Sequence, residues 1–149
     1  MLLGSYLDSF NVSSLQVMLR LINTGACSGT SLYVDLSFSC GAILRDGRTS
    51  SGNLGNVDFF VGRAEFLPEV YGKIGVEVSG VELDSDGRLV LSMGESVIEL
   101  VATDEDMALE DSVWQVEMES PTGSGLSLGG SISCVATGNA VTFVLGVER

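Results

Sequence analysis

The sequence predicts a mainly β protein of α+β type: antiparallel meander sheets forming a sandwich or a partly open barrel, with one or two short helices. Three observations carry this. From Val76 to Met118 apolar residues recur at every second position (Val76, Val78, then Leu89, Leu91, Met93), the period of a half-buried strand. Other β-prone runs are separated by turn formers such as Gly129-Gly130 and Gly138-Asn139. The composition, 45% hydrophobic and 18% charged with 19 glycines and 2 prolines, is that of a folded, turn-rich β protein and not of a disordered acidic tail. A chain of 149 residues reads as one domain over 1–149, able to bury about 70% of its unfolded surface without a staple or a metal.

In chain order, Leu15–Ile22 alternates as a strand with Leu15, Val17, Leu19 and Leu21 inward, although Leu15, Met18, Leu19 and Ile22 also fit a helix. Asn23–Thr30 then reads as a long hairpin loop into Leu32–Phe38, where Leu32, Val34, Leu36 and Phe38 share a face. Gly41 gives a tight connection to Ala42–Leu44. The polar run Arg45–Asn56 has nothing to bury and reads as a loop or linker between two β halves of one domain. Val57–Val61 returns to strand. Pro68 suits a first helical turn and Gly72 the left-handed position after a last one, so a short helix belongs between Glu65 and Gly72.

Asp84-Ser85-Asp86-Gly87 tolerates left-handed backbone and should join Val76–Leu83 to Arg88–Met93 as a hairpin, the start of a meander of three or four strands. Val97 continues the inward pattern, with Ile98 shifting its phase. Ala102–Asp111 is an acidic connection able to make a turn of helix through Met107, Ala108 and Leu109. Val113–Met118 follows as a strand whose Trp114 shares a face with Val116 and Met118, which places it in the core ahead of a contact role. Leu126–Leu128, Ile132–Val135 and Val141–Leu145 close the chain as hairpins. Leu36–Leu44 faintly echoes Leu91–Leu100, as an internal duplication would.

Charge is distributed unevenly. Glu65 to Glu119 holds fifteen carboxylates against Lys73 and Arg88, a balance equal to the whole chain's −13. One half of the protein is therefore expected to be an acidic surface on a sheet. Such a surface repels nucleic acid phosphates and anionic membranes and steers a basic partner; solubility alone is the competing explanation.

Catalytic signatures are missing. The chain has no histidine, which removes the commonest general base and metal ligand and with them Ser-His-Asp and Cys-His mechanisms. No nucleophile elbow, phosphate-binding loop or dinucleotide turn occurs. Asp104-Glu105-Asp106 with Glu110 and Asp111 is the best set for a hard cation or a carboxylate pair, but lacks calcium-loop spacing. The expectation is no metal, no cofactor and no enzyme. Cys27, Cys40 and Cys134 are odd in number, without CxxC spacing, and read as reduced core thiols. Neither a secretory leader nor an apolar stretch long enough to span a membrane is present, so the cytoplasm is the expected location.

Asp86-Gly87-Arg88-Leu89-Val90-Leu91 with its following Gly turn, Glu110 ahead of Trp114-Gln115-Val116, Pro121-Thr122-Gly123 and Leu126-Ser127-Leu128-Gly129-Gly130 together resemble a family of small, uncharacterised bacterial domains common in actinobacteria. Those domains are similar to immunity proteins encoded beside polymorphic or contact-dependent toxins. The resemblance runs from about Val76 to Ile132, with Leu128 where a proline is usual and Met93 where an aromatic is. It implies a protein-binding module that neutralises a cognate basic toxin by covering its active surface. The expected contact set is Asp84, Asp86, Asp104, Glu105, Asp106, Glu110 and Asp111. A structural or oligomerising β domain is the alternative; a carboxylate enzyme or small-ligand binder is a third and would need a pocket with converging acids.

Overall fold

The alternating runs become eleven β-strands in a computed structural model, which describes residues 2–13, 16–27, 30–38, 42–46, 49–53, 66–102, 112–119, 130–137 and 140–147. In chain order they are β1 (Tyr6–Val12), β2 (Val17–Cys27), β3 (Thr30–Phe38), β4 (Ala42–Asp46), β5 (Thr49–Asn53), β6 (Val78–Leu83), β7 (Leu89–Met93), β8 (Ser96–Leu100), β9 (Ser112–Glu119), β10 (Gly130–Thr137) and β11 (Ala140–Val147). One short helix, α1 (66–71), lies between β5 and β6. All pairings are antiparallel and make two sheets, β1-β2-β3-β9-β10-β11 and β5-β4-β8-β7-β6, neither closed into a barrel. Over the described residues the architecture is a β sandwich with one helix.

Register sorts the side chains. Leu19, Leu36, Val116 and Ile132 are successive cross-strand partners, as are Val17, Phe38, Trp114 and Cys134, so one apolar face runs across β2, β3, β9 and β10. Against it the second sheet sets Leu89, Leu91 and Met93 of β7 and Ile98 and Leu100 of β8, all buried in the same core. Phe66 and Val70, one turn apart on α1, join that core, with the Phe66 ring edge-on to Phe38 at 6.0 Å. Cys134 is a buried free thiol, as expected.

The sheets are joined at one corner. Gly4 N–H donates to Val78 O (2.9 Å), Val78 N–H to Ser5 O (2.7 Å), Leu7 N–H to Val76 O (3.1 Å) and Gly75 N–H to Leu7 O (2.7 Å). The head of β1 is thus paired with the segment leading into β6, while β11 and β5 end their sheets on the far sides.

Several expectations are corrected by pairing. The meander holds for β6, β7 and β8, but β9 joins the other sheet because β4 already occupies the free side of β8. Asn23–Cys27 is the end of β2, with an irregular register against β3, and not part of a loop. Arg45–Asp46 and Thr49–Asn53 lie in a β4–β5 hairpin: a polar edge needs only backbone partners, which periodicity does not reveal. In β8 it is Ser96, Ile98 and Leu100 that turn inward, leaving Val97 half-buried on the outer face. The helix lies where Pro68 and Gly72 place it, but the left-handed residue is Gly75, three positions later (φ 82°). The two echoing segments play different parts, since Leu36–Phe38 and Ala42–Leu44 belong to different sheets whereas β7 and β8 are neighbours in one. Leu15, Val57–Val61, Met107–Leu109 and Leu126–Leu128 lie outside the described residues.

The β6–β7 turn forms as its residues require. Gly87 sits at φ 78°, where a side chain clashes with the following carbonyl, so Gly87→Ala should lower the unfolding free energy by about 1–2 kcal/mol in urea titrations. A loss within error would mean the turn relaxes to another form.

Candidate partner-binding surface

The acidic turn is built from its first residue outward. Asp84 Oδ1 accepts the backbone N–H groups of Asp86 and Arg88, each at 3.0 Å, while Gly87 N–H donates to Asp84 O (3.2 Å) and Asp84 N–H to Arg88 O (3.1 Å). That Asx arrangement fixes the loop and leaves Glu82, Asp84 and Asp86 exposed around it. Arg88 is directed elsewhere, into an ion pair with Glu99 of β8, a residue buried on the outer face of its sheet. The hydrogen bond to Glu99 raises the Arg88 pKa above its ordinary value; burial opposes this, and the charges of Glu99, Asp84 and Glu82 reinforce it. The cation of this hairpin is therefore neutralised from behind, and the turn itself remains negative.

Beside the turn the two sheets part. Val81 and Leu83 pair with Leu91 and Leu89, so they face the inner side, yet Leu83 is 47% exposed, with no described strand of the other sheet covering it. Together with Leu2, Leu3, Leu89, Trp114, Val116 and Ile132 they line an open apolar cleft of about 230 Å³. Its floor is rigid: Trp114 is buried and its indole Nε1–H donates 2.7 Å to Gly87 O, tying β9 to the acidic turn. Leu3, at 58% exposed, stands at the mouth.

Of the expected contact residues, Asp84 and Asp86 come together on this turn, and Asp104, Glu105, Asp106, Glu110 and Asp111 lie outside the described residues. Leu3, Val81 and Leu83 complete the surface, and the sequence alone does not point to them, whereas Glu82 alternates to the outer face of β6. Leu83 borders the turn in sequence, but its alternation with Val81 looks like core, and a strand pattern cannot show where the opposite layer stops.

Elsewhere the described carboxylates depart from the single acidic sheet face expected. Asp35 is buried on β3, where Arg20 of β2 grips it with two hydrogen bonds (Nε to Oδ1 2.8 Å, Nη2 to Oδ2 2.6 Å) while lying 5.6 Å from the Tyr33 ring centroid. Glu95 sits in the β7–β8 turn, at the other end of the hairpin from Asp84, and Glu117 is on β9 in the other sheet. Local pairing consumes some acids, and sheet order separates the rest. Among the described residues no three carboxylate or thiol groups lie close enough to hold a metal ion, and no helix is long and apolar enough to cross a membrane.

Tyr6 Oη donates to Glu77 Oε2 at 3.2 Å, and this bond, then the carboxylate charge and burial, raises the phenol above its usual 10.0. Because the folded pKa exceeds the unfolded one, this contribution to stability is whole below the unfolded pKa and is lost as the pH climbs through the folded one. The tyrosinate absorbance of the wild type should therefore rise at higher pH than that of Glu77→Gln titrated in parallel. Identical titrations of the two proteins would refute the contact.

No family model matches the chain, and no curated protein or solved structure does either.

Proposed function

We propose that this chain is a cytoplasmic protein-binding module of the immunity type, which neutralises a cognate basic toxin by covering its active surface. The observation that carries the reading is the exposed pair Asp84 and Asp86 on the turn beside an open apolar cleft, with Arg88 held back by Glu99. An apolar centre inside a charged rim is the anatomy of a protein interface: buried anchors supply affinity, and rim charge steers encounter and selects the partner. The net charge of −13 extends that attraction and disfavours nucleic acid and anionic lipid as ligands. The absence of histidine and of converging described acids favours binding over turnover.

The test is calorimetric titration against the toxin domain encoded beside this gene, with that domain's own activity followed in parallel. A stoichiometric complex that weakens with salt and abolishes the activity is expected. Lack of binding at low ionic strength, or binding that leaves the toxin active, would overturn the proposal.

A further inference from the structure

The last hairpin differs in character from the rest of the molecule. All 27 charged residues of the chain lie outside Ser120–Val147, so both β10 and β11 are neutral. β11 ends the six-stranded sheet and no described strand lies beyond it. Its register against β10 is unbroken over eight pairs, from Gly130↔Val147 to Thr137↔Ala140. Terminal strands normally carry a bulge, a proline or a lysine that discourages further pairing, and β11 has none of these. The other sheet's terminal strand, β5, is short, polar and interrupted: five residues with a register shift against β4.

β11 also overhangs the sandwich. Phe143 and Leu145 share the inner face with Cys134 and Ile132, their partners on β10, yet Leu145 is 74% exposed, and Val144 on the opposite face is 50% exposed. Phe143 reaches back to the Trp114 ring, at 6.1 Å between centroids. Both faces of one uncharged strand are thus presented to solvent by a molecule whose net charge of −13 lies elsewhere.

We infer that β11 is the seam of a symmetric homodimer, in which it pairs antiparallel with β11 of a second copy and the two six-stranded sheets run on as one. Charge favours this occupant. A basic partner finds no carboxylate on the strand, whereas two copies, each with its −13 carried between Glu65 and Glu119, meet little repulsion at a hairpin free of charge. A two-fold axis normal to the sheet sets inner residues against inner residues. With Val144 on the axis, Phe143 of one copy lies opposite Leu145 of the other, so the exposed apolar pair covers itself. The acidic turn and its cleft use different residues, so the seam goes beyond the toxin-binding reading and stands or falls apart from it.

Sedimentation velocity of the whole chain between about 1 and 100 μM tests this, because mass action makes dimerisation concentration-dependent. The wild type should move from 15.6 kDa toward twice that mass. Val144→Glu, a substitution at an exposed position, should weaken the dimer about tenfold or more, whereas Val144→Thr, still β-branched, should keep it. Raising salt from about 0.05 to 0.5 M should leave the dimer unchanged or tighten it, since screening relieves only repulsion. A wild-type chain that stays at 15.6 kDa throughout, a Val144→Glu dimer as tight as the wild type, or a dimer that salt dissociates would each overturn the inference. Hydrogen exchange on the wild type gives a second measure should Val144→Glu fail to fold. Protection at 143–146 must rise with protein concentration, and protection independent of concentration overturns the inference too.

Discussion

Replacing Trp114 with alanine should remove about 3–5 kcal/mol from the unfolding free energy, the range for an aromatic deleted from a packed core. Trp114 is 1% exposed and lies in register between Phe38 of β3 and Cys134 of β10. It also touches Phe143 and donates to the carbonyl of Gly87, so a single side chain links both sheets, the terminal strand and the acidic turn. A domain of this size is stable by about 5–15 kcal/mol, so the loss is a large share of the total. Trp114→Phe separates the parts: it keeps a ring in the core but takes the donor from the Gly87 carbonyl, at a cost of about 1–3 kcal/mol for the unsatisfied group and the lost contact. Urea titrations followed by far-ultraviolet circular dichroism measure both. In the wild type the same transition is visible in fluorescence, because Trp114 is the one tryptophan. A Trp114→Ala loss under about 1 kcal/mol would show that the sandwich does not depend on this ring.

The core position of Trp114, though not its bond to Gly87, was legible in the sequence, as were β7, β9, the hairpin turn and the helix, because each has local chemistry that one structure alone satisfies. Asp84-Ser85-Asp86-Gly87 specifies its turn through Asx bonding and left-handed glycine, and Leu32–Phe38 shows its buried face by alternation. β1 was not legible. A register shift between Leu7 and Ser9 changes the spacing of its inward residues, so Leu7 and Phe10 look unrelated under a period of two. β5 was hidden for the opposite reason, having no apolar period at all.

The candidate surface divides in the same way. Asp84 and Asp86 can be read from composition, since acids at an Asx turn are exposed. The cleft beside them cannot, because Val81 and Leu83 alternate just as their buried partners Leu91 and Leu89 do and differ in that no described strand lies above them. Coverage belongs to sheet order, set by pairings such as β3 with β9 that join residues tens of positions apart.

Reversing charge at the rim should weaken the proposed complex about 100-fold or more without unfolding the protein. Ser85→Lys with Asp86→Lys is the informative pair, because both residues are exposed on the turn while Asp84 is left to hold it. Three units of charge change beside the apolar anchors, within about a Debye length of any partner seated in the cleft, so most of the loss should appear in the association rate and shrink as salt is raised. Stability should move by no more than about 0.5 kcal/mol, as for other exposed sites, which separates this outcome from that of Trp114→Ala. Glu95→Lys controls for net charge: Glu95 is exposed at the opposite end of the same hairpin, and its reversal should weaken binding no more than about threefold. Equal losses from Glu95 and from the rim would reduce the effect to overall charge. Unchanged affinity in the double variant would remove the acidic turn from the interface, leaving the cleft to be tested alone by Leu83→Asp.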